Sequence, residues 1–287
     1  MEKMKKTIIY IGLIIGAIIV LFPFFWMISI ALKPAEEVFD ISLIPNNPTL
    51  KNLKDVLLKY NFIRYFGNSI LVATLSATVS TFFASMAAYA FAKKEFWGRK
   101  PIFTLLLSSM MVPGLMFMVP QFALVFQIGE IQFLGIGSFL KMFQLMGIDT
   151  YGAMIVPHMA NVFGLFMMYQ FLRSVPDSLI ESANIDGASE WGVFWRIVVP
   201  LSLPVIATLF LLSFQFHWAN FLWQLIVVGS EELYTVPVGL AMFKNAHEEL
   251  WNLKMAASCI SIVPIAALFF FAQRFFIEGV TQGAIKE

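Results

Sequence analysis

Long apolar runs alternate with short polar breaks along the whole chain, and the runs have the length of membrane spans. An α-helix needs roughly 20 apolar residues to cross the hydrocarbon of a bilayer, and about six stretches qualify. They fall near Ile8–Leu32, Asn68–Ala92, Ile102–Gln127, Tyr151–Leu172, Leu201–Val228 and Met255–Gln273. Lys33–Phe66 carries Pro34, Pro45 and Pro48 among mixed charges and reads as an outer loop with a short helix around Leu50–Tyr60. Gly129–Asp149 is too polar and glycine-rich to span, and Gly229–Asn252 reads as another outer loop. Pro113 and Pro120 interrupt the third run and Pro264 the sixth. A proline frees a carbonyl that neighbours must satisfy, so these helices are expected to bend, along a transport path or for plain packing. The pattern predicts an all-α integral membrane fold with six transmembrane helices. Its parts are an N-terminal span with outer loop over 1–67, a five-helix core over 68–277 and a C-terminal tail over 278–287.

Composition agrees with that pattern. The 287 residues are 59% hydrophobic and 13% charged, more apolar surface than one soluble core hides. The basic start Met1–Lys6 is followed by an apolar run that continues to Leu32, too long for a cleavable signal peptide. Lys3, Lys5, Lys6, the 93–100 loop, Arg173, Arg196, Arg274 and Lys286 fall on one side, the cytoplasmic one by the positive-inside rule. Lys33, Lys51, Lys54, Lys59 and Arg64 lie opposite, in a loop of mixed charge. An even number of spans places both termini in the cytoplasm. A net charge of +1 with no visible basic groove gives no hint of nucleic acid, so no nucleic-acid partner is expected, and lipid is the surrounding medium. Cys259 is the sole cysteine, which rules out an intrachain disulfide and a cysteine-based metal site.

The chain lacks a G-x-x-x-x-G-K-[ST] phosphate loop and any paired metal motif, so neither ATP hydrolysis nor a metal site is expected of it. The predicted spans hold almost no ionisable residue except His217, whereas ion coupling usually leaves charges inside the membrane. Energy is therefore expected from another subunit. In the fifth run Gln215, His217, Trp218, Asn220, Trp223 and Gln224 cluster, with His217, Asn220 and Gln224 at i, i+3 and i+7 on one helical face. That face either lines a translocation path or serves hydrogen bonding between helices. Tyr89, Trp97 and Trp251 read as membrane-interface anchors.

The one long polar break inside the core is Glu181–Pro200, ESANIDGASEWGVFWRIVVP, within a loop over 174–200. Pro176 suits the first turn of a helix, Leu179, Ile180, Ala183 and Ile185 supply apolar contacts, and Gly187 can take the left-handed conformation that ends it. Ser189 is placed to cap an amphipathic segment in which Trp191, Phe194, Trp195 and Val198 share one side and Arg196 reaches the headgroups. The expected object is a short helix outside the membrane, pinned by a helix along its surface.

Its spacing is Glu181-Ser182-Ala183, three residues, Gly187, nine residues, then Ile197, Val199 and Pro200. This resembles the loop by which permease subunits of ABC importers grip their ATPases, with Ser182 and Val199 standing where that pattern has Ala and Leu. NSILVA at Asn68, AYAFAK at Ala88, the block from MMYQFLRS to VIATL, ANFLWQLIVV, YTVPVGLAMF and the terminal GVTQGAIKE extend the likeness over nearly the whole chain. They are similar to the carbohydrate-uptake, maltose-type permeases, on the side of that system's smaller membrane subunit. The resemblance implies a type I ABC importer with a cytoplasmic coupling helix, in a bacterial or archaeal cytoplasmic (inner) membrane. It implies a heterodimer with a second permease, two copies of a cytoplasmic ATPase that hold ATP and Mg, and an extracytoplasmic sugar-binding protein, with no cofactor bound by this chain. Carried over, Glu181 meets basic groups of the ATPase, Ala183 and Ile185 pack in its groove, and Gly187 makes the close turn, with Ser182 and Asp186 in the same segment. The tail Gly279–Lys286 would contact the ATPase dimer. The competing reading is an ATP-independent secondary transporter or channel.

Overall fold

The computed structural model describes residues 2–131, 146–243 and 250–284, which form helices and turns and, among the described residues, no strand. The chain divides into two compact units, 1–66 with 238–264, and 67–237 with 265–287.

In the first unit, α1 (Glu2–Leu32) presents apolar side chains outward along its length, Ile8, Ile15, Ile19 and Phe25 among them, as a lipid-facing helix does. The end of α1 leaves carbonyls without intrahelical partners. Asn52, on α2 (Lys51–Lys59), closes them: its Nδ2 donates to the Ala31 carbonyl at 2.8 Å and to the Lys33 carbonyl at 2.7 Å, while the Thr49 amide reaches the Leu32 carbonyl at 2.8 Å. Asn252 Nδ2 in turn donates to Asn52 Oδ1 at 3.0 Å. Lys33, expected in a solvated loop, is instead fully buried, its Nζ donating to the Asp40 carbonyl at 2.7 Å and lying 5.5 Å from the centre of the Trp26 ring. The long stem packs while the charge finds a carbonyl and an aromatic face.

The second unit contains most of α3 (Phe62–Lys93), α4 (Arg99–Ser109), α5 (Met118–Ile131), α6 (Tyr151–Ile155) and α7 (Val162–Ser174). It continues with α8 (Asp177–Ile185), α9 (Glu190–Val193), α10 (Leu203–Trp218) and α11 (Leu222–Val227). α12 (Val236–Ala241) and α13 (Trp251–Ala284) follow along the chain, α12 from Val238 and α13 as far as Pro264 belonging to the first unit. Among the described residues three helices, α1, α3 and α13, are each long and apolar enough to cross a membrane; three bent pairs bring the total to up to six. The expected third and fourth spans are therefore broken rather than continuous, by 99° between Ser109 and Gly114 and 42° between His158 and Val162, while the 81° bend at Ser202 joins the amphipathic segment to the start of the expected fifth span.

The breaks follow local chemistry. Pro113 opens the 3₁₀ turn Gly114–Phe117 after the first, whereas Pro120 lies in the first turn of α5, where its missing N–H costs nothing and no kink results. At the second, Asn161 caps α7 by accepting from the Gly164 amide at 2.8 Å and donates to Ser213 Oγ at 3.2 Å. α7 then crosses α10 closely: a Cβ on Gly164 would sit 2.8 Å from Leu209 Cδ1. α13 continues through Pro264 and runs on to Ala284, into the stretch 278–287 expected as a tail, of which 285–287 lie outside the described residues.

Asn52→Leu should leave the Ala31 and Lys33 carbonyls buried and unpaired, at a cost of roughly 1–3 kcal/mol. Thermal unfolding of the protein in detergent micelles should show this as a lowered midpoint, and an unchanged midpoint would remove Asn52 as the cap of α1.

Candidate coupling segment and polar clefts

α8 is a nine-residue helix that opens just after Pro176, which occupies the extended position before the first turn rather than the turn itself. Ile180 is buried and Ala183 half-buried, both packed on the cluster that contains Met168, Leu172, Val193 and Leu209. Glu181, Ser182, Asp186 and Gly187 are exposed, and Ile185 stands out at 86% exposure. The helix thus turns Ala183 inward and offers Glu181 and Ile185 outward. Ser182 Oγ donates to the Ser178 carbonyl at 2.7 Å, so its hydroxyl is satisfied within the helix.

Gly187 has φ +80°, the left-handed conformation read from its position. The Ala188 amide donates to the Ala183 carbonyl at 2.9 Å and the Gly187 amide to Asn184 at 3.1 Å, the pattern of a helix stopped by a left-handed residue. Ser189 Oγ accepts from the Gly192 amide at 3.2 Å and caps α9, which continues through a π-helical turn, Phe194–Val198, to Leu201. The expected common side of that segment divides. Phe194 and Val198 are buried, while Trp191 and Trp195 are more than half exposed, the π-helical turn Phe194–Val198 having broken the 3.6-residue period on which a common side rests. Arg196 is exposed beside them.

Two adjacent lysines hold both roots of this loop. Lys93 Nζ donates to the Val175 carbonyl at 2.5 Å and to Asp177 Oδ1 at 2.6 Å, its side chain only 4% exposed. Lys94 Nζ pairs with Glu190 Oε1 at 2.6 Å, and Tyr89 donates its hydroxyl to Glu190 Oε2 at 3.0 Å. Tyr89 is therefore a buried partner of the loop rather than an interface anchor. The hydrogen bond from Lys93 holds the Asp177 carboxyl below its ordinary range, and that from Lys94 does the same for Glu190. Burial, which alone would lower it, is outweighed at Lys94 by its bonds to Glu190 and Tyr89, and its pKa rises. In sequence these lysines register only as positive-inside charge.

The fifth-run polar residues do not share a face. α10 ends at Trp218, Ala219 closes it through the Gln215 and His217 carbonyls, and a new helix starts at Leu222. Irregular backbone at membrane depth is tolerated where it borders a cavity, and Asn220, in the break, does so. Asn220 and exposed Gln215 line a cleft of about 880 Å³ with Gln121, His158, Phe216 and Trp223. His217 lines an adjoining cleft of about 430 Å³ with Gln121, His158, Asn161, Ser213 and Phe216. Gln224 is buried away from both, its carbonyl oxygen unpartnered. Trp223 turns its indole N–H onto the Ala153 carbonyl at 2.9 Å. His158 stands against His217 and Trp223, with ring centres 5.3 and 5.7 Å away. His158 and Gln121 escaped the sequence reading because both sit in separate apolar runs that only the fold brings to α10.

Protonation should loosen the loop roots. Asp177 and Glu190 have depressed pKa values when folded, so their contribution is present above the unfolded carboxylate range, near 4, and is lost as pH falls through the folded values. Hydrogen exchange over 175–192, corrected for intrinsic rates, should stay protected at neutral pH and lose protection below about pH 4. Equal protection at both would deny the carboxylates a holding role.

Residues 80–282 match the family model described as the binding-protein-dependent transport system inner membrane component. The chain is 33% identical to an arabinooligosaccharides transport system permease protein of Halalkalibacterium halodurans, over 96% of this chain and 95% of that protein. It is 34% identical to a trehalose/maltose transport system permease protein of Thermococcus litoralis, over 99% and 98%. Its fold matches a chain in the crystal structure of a bacterial ABC transporter involved in alginate import, with TM-score 0.79 at 21% identity, covering 96% of this chain and 97% of that one.

Proposed function

The chain belongs to the family of inner-membrane components of binding-protein-dependent transport systems, and on that footing we propose that it is one of two permease subunits of an ATP-driven importer for a sugar or oligosaccharide. The observation that carries this reading is the exposed Glu181–Gly187 segment. An apolar Ile185 left 86% exposed beside an acidic residue, on a short helix with a rigid left-handed stop, suits a surface made to enter another protein. Glu181 would meet basic groups of the ATPase and Ile185 would enter its groove, while Ala183 holds the helix to its own subunit. Asp186 and Ser182 flank the contact.

The partners in this reading are a second permease, two ATPase copies holding ATP and Mg, and an extracytoplasmic sugar-binding protein. The chain itself binds no cofactor and serves as a mechanical element with both termini in the cytoplasm. Closure of the ATPase dimer draws the two α8 helices together and rocks the bundles from inward-open to outward-open. Sugar then passes between the subunits. On this chain, Gln121, His158, Gln215 and Asn220 supply amide and imidazole groups beside the faces of Phe216 and Trp223, the kind of lining that sugar hydroxyls and ring faces need. His217 borders the adjoining cleft. Gln224 is withdrawn from the path and serves packing.

A pull-down of the tagged chain in mild detergent should recover an ATPase and a second permease in near-stoichiometric amounts; recovery of the chain alone would overturn the reading. Gly187→Asp should insert normally, because a Cβ there meets nothing within 4 Å, yet abolish ATP-dependent uptake through strain at φ +80° and added charge. Vesicles tested with labelled arabinotriose, trehalose and maltotriose read that loss, and full uptake by the variant of any sugar the unaltered protein carries would remove α8 from coupling.

A further inference from the structure

α3 is fastened at both ends to segments that lie at opposite ends of the second unit. At its end, Lys93 and Lys94 grip the loop on either side of α8, at Val175, Asp177 and Glu190. Near its start, Asn68 Nδ2 donates to the Glu232 and Tyr234 carbonyls, each at 2.9 Å, and Asn68 Oδ1 accepts from the Tyr151 hydroxyl at 2.7 Å. Ser69 Oγ accepts from the Val236 amide at 2.7 Å. Between these points α3 is an unbroken helix of about 38 Å, at 1.5 Å per residue, while the next two spans are bent. Its buried face is built from small residues, Ala73, Ala77, Ser80, Ala84 and Ala88. These allow close backbone contact along its length.

We propose that α3 is the strut that carries the stroke of α8 across the membrane to the outer segment Glu232–Val236, with Lys93 and Lys94 as positioning residues at one end and Asn68 and Ser69 at the other. This rests on the importer reading above. A displacement of α8 cannot leave α3 behind without exposing the buried Lys93 ammonium to an unpaired site, which is costly. Glu190, held by Lys94 and Tyr89 together, ties the far side of the loop to the same helix end. At the outer end Asn68 uses both its amide nitrogen and its oxygen, so the 232–234 backbone and Tyr151 move with it. The extracytoplasmic segment therefore reports the state of the cytoplasmic one, and the reverse holds by reciprocity.

The test uses the whole complex in lipid nanodiscs, with ATP hydrolysis read without and with its binding protein, isolated carrying its own sugar. Lys94→Glu and Asn68→Ala should each leave basal hydrolysis within about twofold and cut stimulation by the binding protein at least fivefold, roughly 1 kcal/mol of coupling. Lys94→Glu with Glu190→Lys should restore stimulation, since the pair is rebuilt in inverted order. Joining Lys94→Glu to Asn68→Ala should lose no more than the worse single change, because two breaks in one strut act in series. Stimulation unchanged in both single variants, or losses that multiply in the double, would overturn the strut. If Lys94→Glu fails to insert, Lys94→Met is read in its place by the same criteria. A wild-type complex without ATPase activity would instead overturn the importer reading on which the strut stands.

Discussion

Hydrocarbon offers a peptide group no hydrogen-bond partner, and an unpaired backbone group there costs several kcal/mol. Every departure from continuous helix in this chain has to be repaired from within the protein. The helix breaks show how it is done. Asn161 caps the helix after one break and reaches across to Ser213. Ala219 closes α10 onto the Gln215 and His217 carbonyls before the next begins. At the end of α1 the repair comes from Asn52. Short polar side chains at helix ends are therefore the fold's joints.

Charge obeys the same constraint differently. Coulomb attraction between exposed groups is weak, and pairs such as Lys59 with Asp55 hold little. Lys93 differs because its side chain is 4% exposed, so its ammonium is committed to the Val175 carbonyl and Asp177. Asp149 works similarly at the end of α11: its amide donates to the Val227 carbonyl at 2.7 Å, and its carboxylate accepts from the Gly229 and Ser230 amides and the Ser230 hydroxyl. Burial raises its pKa, but these bonds more than offset that and hold the carboxyl below its ordinary range. Each contact decides where a loop must stay.

The geometry of the Glu181–Pro200 segment was legible because its constraints are local. A left-handed stop calls for glycine, a cap calls for serine, and both appear at 187 and 189 in the spacing the geometry uses. The clefts were not. Gln215, His217, Asn220 and Gln224 look alike in a linear reading, yet the helix break parts them, leaving Gln215 and Asn220 on one cleft, His217 on its neighbour and Gln224 buried. No proline or glycine marks that break. It depends on neighbours that α10 and α11 meet only after folding, such as Ala153 beneath Trp223.

The sequence by itself determined the all-helical membrane fold, the approximate positions of six crossings and the outline of the Glu181–Pro200 loop, because run length, periodicity and turn chemistry are properties of neighbours in the chain. Tertiary structure alone decided which way Ala183 and Ile185 face, that Lys33 is buried, and that Tyr89, Lys93 and Lys94 anchor a loop more than 80 residues away. A lysine's partner is set by which carbonyl or carboxylate the packing brings within about 3 Å. Packing is a property of the whole bundle, which no segment encodes on its own.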